Sequence, residues 1–203
     1  MHEAARENDV EELRRLLDEE PGLVEAEAGY VRLHERPLHA ACSEASMEAA
    51  CFLLDRGADM DTRNRYGQTP LMRACMAGRA EVVRLLLAKG ADPALRDENS
   101  GTALMWASSN REHPGCDHVA VIRLLLEDGR VPVDARDLSG RTALWWACFY
   151  EYAERARVLL LEGGADHTIA NDEGMTPMAR ARRMDYHETV QLLEVRALRH
   201  ATY

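Results

Sequence analysis

One segment recurs along this chain at a nearly constant interval, and that constrains its fold more than any other feature. RPLHAAC (36–42), TPLMRAC (69–75), TALMWAS (102–108), TALWWAC (142–148) and TPMARAR (176–182) align, with spacings of 33, 33, 40 and 34 residues. About ten residues after each motif comes an apolar block: CFLL (51–54), VVRLLL (82–87), VIRLLL (121–126), RVLLL (157–161) and VQLL (190–193). Gly57, Gly90, Gly129 and Gly163 follow four of the five blocks and are expected to stop a helix there. Acid-containing, hairpin-like segments come next, GADMDTRN (57–64) and GADPALRD (90–97) being the clearest. Self-similarity at this period marks an array of stacked units, because one short helix pair cannot bury its apolar surface alone.

Local chemistry agrees with that pattern. Thr69 and Thr176 are placed to cap a helix, with Pro70 and Pro177 in the first turn, where no amide donor is missed. Small Ala and Cys residues one turn later allow close helix approach, and the Leu runs supply a second helix. The chain's first residues, MHEAARENDVEELRRLL, enter the same unit at its first helix.

The motif T-P-L-H-x-A-A … V-x-x-L-L-x-x-G-A-D, almost complete in Thr69–Asp92, resembles the ankyrin repeat over essentially the whole chain. The resemblance implies an all-α solenoid of stacked helix-turn-helix units with short β-hairpin-like loops. Residues 1–203 then form a single ankyrin-repeat domain with units of approximately 1–31, 32–64, 65–97, 98–137, 138–171 and 172–203, the first and last acting as caps. The chain departs from the pattern at Arg36, which replaces the capping Thr, and at Ala49, Ala50 and Cys51, which thin one second helix. The 40-residue spacing places six extra residues in the fourth unit, around REHPGC (111–116), and a seventh in GRVPVD (129–134).

Composition narrows the function classes. The formal charge is −10, with 13 acids against 5 arginines in residues 1–48 alone, which argues against nucleic acid as the partner. The longest apolar stretch, Ala143 to Tyr150, is eight residues, far short of the ~18–20 a membrane span needs. The start of the chain has no basic-then-apolar leader pattern, so cytoplasmic or nuclear residence is expected, with five reduced cysteines. Cys42, Cys75 and Cys148 share the small-residue position and read as packing. Neither G-x-G-x-x-G nor G-x-x-x-x-G-K-[ST] occurs, and no nucleophile–His–acid set stands out. No catalysis, cofactor or metal is expected. His113, Cys116, Asp117 and His118 are metal-ligand types inside the insertion, but a closed zinc site needs four supportive ligands; a structural loop is expected, with Asp117 capping the next helix.

The aromatic residues carry most of the functional signal. Aligned by unit, Ala40, Arg73, Trp106, Trp146 and Arg180 share one position, which in ankyrin repeats faces the concave surface of successive inner helices. Trp106 and Trp146 are therefore expected as neighbours roughly 10 Å apart, flanked by Arg73 and Arg180. Phe149, Tyr150, Met76 and Ser109 fall on variable positions after the small pair, and Tyr66 and Gln68 on variable hairpin positions. Trp145, on the motif's histidine position, is expected to pack. Exposed Trp, Tyr and Arg are hot-spot residue types. The expected function is a non-catalytic protein-interaction module, an adaptor, scaffold or inhibitor, holding an extended segment or loop of another protein as a monomer, with no nucleic acid or membrane partner. Two alternatives stand beside it: a methyl-lysine peptide reader using an aromatic cage, which lacks an acid in the Trp register, and a metal-binding or enzymatic protein using 111–118.

Overall fold

The computed structural model describes residues 1–27, 35–111 and 115–200, with side chains described as far as residue 195. Within them lie six consecutive helix pairs: α1 (His2–Arg6) with α2 (Val10–Glu19), α3 (Pro37–Glu44) with α4 (Met47–Asp55), α5 (Pro70–Met76) with α6 (Ala80–Lys89), α7 (Ala103–Ser109) with α8 (His118–Asp128), α9 (Ala143–Phe149) with α10 (Ala153–Leu161), and α11 (Pro177–Arg183) with α12 (His187–His200). A 3-10 turn, Pro21–Glu25, follows α2. The first helices of each pair pack in succession, α1 on α3 through α9 on α11, and the second helices do the same from α2 to α12. This is the all-helical solenoid that the period implies.

Capping shows why the first helices start where they do. The hydroxyls of Thr69, Thr102, Thr142 and Thr176 accept the amides of Met72, Met105, Trp145 and Ala179. Arg36 has no hydroxyl and makes no such bond; His39 instead bonds back to the cap, its Nδ1 accepting the Arg36 amide at 3.2 Å. The His39 Nε2 therefore carries the proton and donates to the Gln68 carbonyl at 3.0 Å, tying one unit to the next. Burial holds the His39 pKa down at about 4. Trp145, on the same position, replaces that bond with its own, Nε1 donating to the Met175 carbonyl at 3.0 Å.

The loops interlock as well. Asn64, Asp97, Asp137 and Asn171 each close a turn by accepting amides two and four residues ahead. Successive turns are joined through the backbone, Glu98 to Tyr66, Leu138 to Asn99 and Asp172 to Ser139. Three arginines repeat the link: Arg63 donates to the Arg96 carbonyl, Arg96 to the Arg136 carbonyl, and Arg136 to the Ala170 carbonyl.

One local expectation needs correction. Gly163 does not adopt the left-handed turn; Gly164 does, at φ 67°, while a Cβ on Gly163 would sit 2.9 Å from the Leu159 carbonyl and from Leu126. The apolar stripe of α10 contains a fully buried arginine. Arg155 stands where α6 and α8 place Val82 and Val121, and its guanidinium donates to the carbonyls of Ala107 (3.1 Å) and Asn110. It also lies over the Tyr152 ring at 3.9 Å. The extra residues after α7 lengthen the connection there, and Arg155 supplies donors to the buried Ala107 carbonyl and to the Asn110 carbonyl just past the helix end.

Candidate partner-binding face

The face formed by the first helices and the turns carries two adjoining cavities. One, of about 330 Å³, lies between the turns preceding α7 and α9 and is lined by Trp106, Trp146, Tyr150, Asp97, Asp137 and Arg141, among others. The second, of about 420 Å³, is lined by Ser43, Arg73, Met76, Asn110 and Arg111, and shares Ser109 and Tyr150 with the first.

The two tryptophans are held by the turns below them. Trp106 Nε1 donates to Asp97 Oδ2 at 2.9 Å, and Trp146 Nε1 donates to Asp137 Oδ2 at 3.0 Å, each acid nine residues before its tryptophan. The other oxygen of each carboxylate closes the turn. The first turn packs more closely, a Cβ on Gly101 falling 2.8 Å from Asp97 Oδ2, whereas the second makes the same bonds with Arg141 at the matching position. With ring edge and backbone both bonded to one carboxylate, each indole is pinned before any partner arrives.

Around Trp146 the aromatics form one contiguous group. Tyr150 stacks on Trp146 with centroids 6.0 Å apart, Phe149 meets Trp146 at 5.6 Å and Trp145 at 5.1 Å, and Tyr152 stacks on Tyr150 at 5.8 Å. Arg180 lies over Phe149 at 4.1 Å, and Arg141 is 4.9 Å from the centroids of both Trp145 and Trp146. Arg73 pairs with the buried Glu35 at 2.8 Å and reaches Met76 Sδ at 3.8 Å.

The structure thus brings Trp106, Ser109, Trp146 and Tyr150 to the first cavity and Arg73, Met76, Ser109 and Tyr150 to the second. Phe149 and Arg180 lie behind that group, packed on each other. Tyr66 is 40% exposed on its own turn beneath the Arg65 guanidinium. Gln68 does not face outward: it is buried, its Oε1 accepting from Asn64 Nδ2 at 3.1 Å. Trp145 is buried, as its packing position requires. The acids missing from the Trp register are supplied by the preceding turn, and the signal was available in the spacing. Asp97 and Asp137 precede Trp106 and Trp146 by nine residues, whereas Asn64 and Asn171 precede Arg73 and Arg180 by the same interval. The indole N–H takes its acceptor from that turn, whereas Arg73 takes one from Glu35 at 2.8 Å.

His113 lies outside the described residues; Asp117 Oδ1 caps α8 by accepting the Ala120 amide at 2.8 Å, His118 is buried, and Cys116 is half-buried. Among the described residues no three His, Cys, Asp or Glu side chains group to hold a metal ion, and no helix is long and apolar enough to cross a membrane. Cys42, Cys75 and Cys148 are buried thiols, Cys148 pushed up to about 12 by desolvation and the other two further.

A family model described as ankyrin repeats (3 copies) matches residues 1–97, 59–132, 89–171 and 117–197. A stretch of 76 residues, 37% of the chain, is 38% identical to the Ankyrin repeat and KH domain-containing protein mask-1 of Caenorhabditis elegans. That stretch spans only 3% of the relative's length.

Proposed function

The chain belongs to the ankyrin-repeat family, and from that premise we propose that it is a non-catalytic interaction module, an adaptor, scaffold or inhibitor, that acts in the cytoplasm or nucleus as a monomer. Repeats of this family mediate protein–protein interaction in general. In our reading, the concave face of first helices and turns receives an extended segment or loop of another protein. The observation that carries the reading is the pair of adjoining cavities sharing Ser109 and Tyr150. Trp, Tyr and Arg line them, and the tryptophans are oriented by bonds made within the fold. Such residues contribute most of the binding energy at interfaces, and pre-set side chains lose little entropy on association. The acidic N-terminal units would steer a partner with basic segments, in a salt-sensitive way.

A methyl-lysine peptide reader is a narrower form of the same proposal. It is favoured by Asp97 and Asp137, which supply the acidic floor that an aromatic cage for a quaternary ammonium uses.

The test is affinity capture from the native lysate with the wild-type chain and with Trp106→Ala/Trp146→Ala. The expected result is a specific partner lost with the double variant, whose melting point falls by only a few degrees. A collapse of cooperative unfolding in that variant would instead make both tryptophans structural.

A further inference from the structure

We propose that the cavity between Trp106 and Trp146 is a subsite for a cationic side chain, the lysine or arginine of the segment bound on this face. The inference rests on the interaction-module reading and specifies its chemistry. Three observations carry it. First, the lining charge is unbalanced. Asp97 and Asp137 each accept two backbone amides and one indole N–H but make no ion pair among the described residues, so Arg141 alone stands against two carboxylates. Second, the charge belongs to this place and not to the turn in general. Asn64 and Asn171 close the same turn without charge in the units whose aligned residue is Arg73 or Arg180. Third, the walls suit a cation. An N–H donated to a carboxylate enriches the indole ring that carries it, strengthening its attraction for a positive group. The fold already makes one such contact, with the Arg141 guanidinium 4.9 Å from the Trp146 centroid. Leu138, 67% exposed on the lining, offers apolar surface to the aliphatic stem of a long basic side chain.

The test follows the three tryptophan indole N–H signals by NMR, assigned with Trp→Phe variants, while the full chain is titrated with tetramethylammonium, with the neutral isostere tert-butanol and with acetate. The expected result is saturable movement of the Trp106 and Trp146 signals with tetramethylammonium, at an affinity at least fivefold above either control. The Trp145 signal, bonded to Met175, should stay still and report that the fold is intact. In Asp97→Asn/Asp137→Asn the response should fall at least fivefold; Trp106→Phe, which keeps a ring without the N–H, should weaken it in a chain that remains folded. Equal response to tert-butanol would make the cavity an apolar subsite, and preference for acetate an anionic one; either overturns the proposal. So does an undiminished tetramethylammonium response in the Asp variant. Repeating the titration with N-acetyl-lysine methylamide, its trimethylated form and N-acetyl-arginine methylamide identifies which cation fits best. Partner capture that depends on the tryptophans, together with no cation preference, would leave the interaction module standing and remove this subsite alone.

Discussion

Replacing Arg155 tests how the long connection after α7 is held. The side chain is fully buried, and its guanidinium donates to the Ala107 and Asn110 carbonyls. Arg155→Met keeps much of the volume and removes both bonds. Each bond from a charged donor is worth about 1.5–3 kcal/mol, and the Ala107 carbonyl left behind is buried. Release of a buried charge offsets part of this loss, because ordering and desolvating a guanidinium is costly. The net expectation is about 2–4 kcal/mol of destabilisation. Arg155→Ala adds a cavity and should lose about 1–2 kcal/mol more. For a chain of this length, 2–4 kcal/mol corresponds to a fall in Tm of roughly 5–15 °C. In a solenoid the damage concentrates at one interface, here between the α7–α8 and α9–α10 pairs. Urea denaturation followed by far-UV circular dichroism should show the lower midpoint, and hydrogen exchange should show α9–α12 opening first. The groove should suffer too, since Ser109 and Asn110 line it at the end of the same helix. An Arg155→Met protein within about 0.5 kcal/mol of wild type would refute the reasoning.

Other outcomes follow from the same geometry. Between pH 6.5 and about 4 the His39 imidazole is neutral when folded and protonated when unfolded, so its contribution is present above pH 6.5 and lost as pH falls toward 4. Stability of wild type minus that of His39→Gln, from urea midpoints, should drop by on the order of 2–4 kcal/mol across that window; a pH-independent difference would contradict it. Thiol titration of the native protein should find Cys42, Cys75 and Cys148 unreactive while Cys51 and Cys116, half-buried, react first; five equal rates would show that the inner helices do not pack as described. Arg63→Ala/Arg96→Ala/Arg136→Ala should lose about 1–3 kcal/mol by denaturant midpoint, because each removes an exposed bond between successive turns, and an unchanged midpoint would make the ladder decorative.

Much of the fold is legible because each element depends on local chemistry. The Thr caps, the Pro in the first turn and the Leu runs are read directly from the period, and helices start at Pro70 and Pro177 as those signals require. What is not legible depends on side chains meeting across units. Arg155 looks like a surface residue in the sequence; only the lengthened connection opposite it makes a buried guanidinium useful. Gln68 occupies a variable position by alignment, yet Asn64 turns its amide inward. The acids of the site reach the tryptophans from the preceding turn and not along the helix, whose aligned positions carry none. Their signature, Asp with Trp and Asn with Arg at a nine-residue interval, becomes meaningful once the turn is seen to need one oxygen and the indole the other.

The central claim is that a pre-set Trp106–Trp146–Tyr150 face selects an extended protein segment. Selecting a displayed library of random linear peptides on the wild-type chain, then measuring Kd of the winners on wild type and on Trp106→Ala/Trp146→Ala, tests it most directly. The account predicts winners that share a motif and bind the double variant at least tenfold more weakly, about 1.4 kcal/mol or more. Peptides that bind both proteins equally would contradict it.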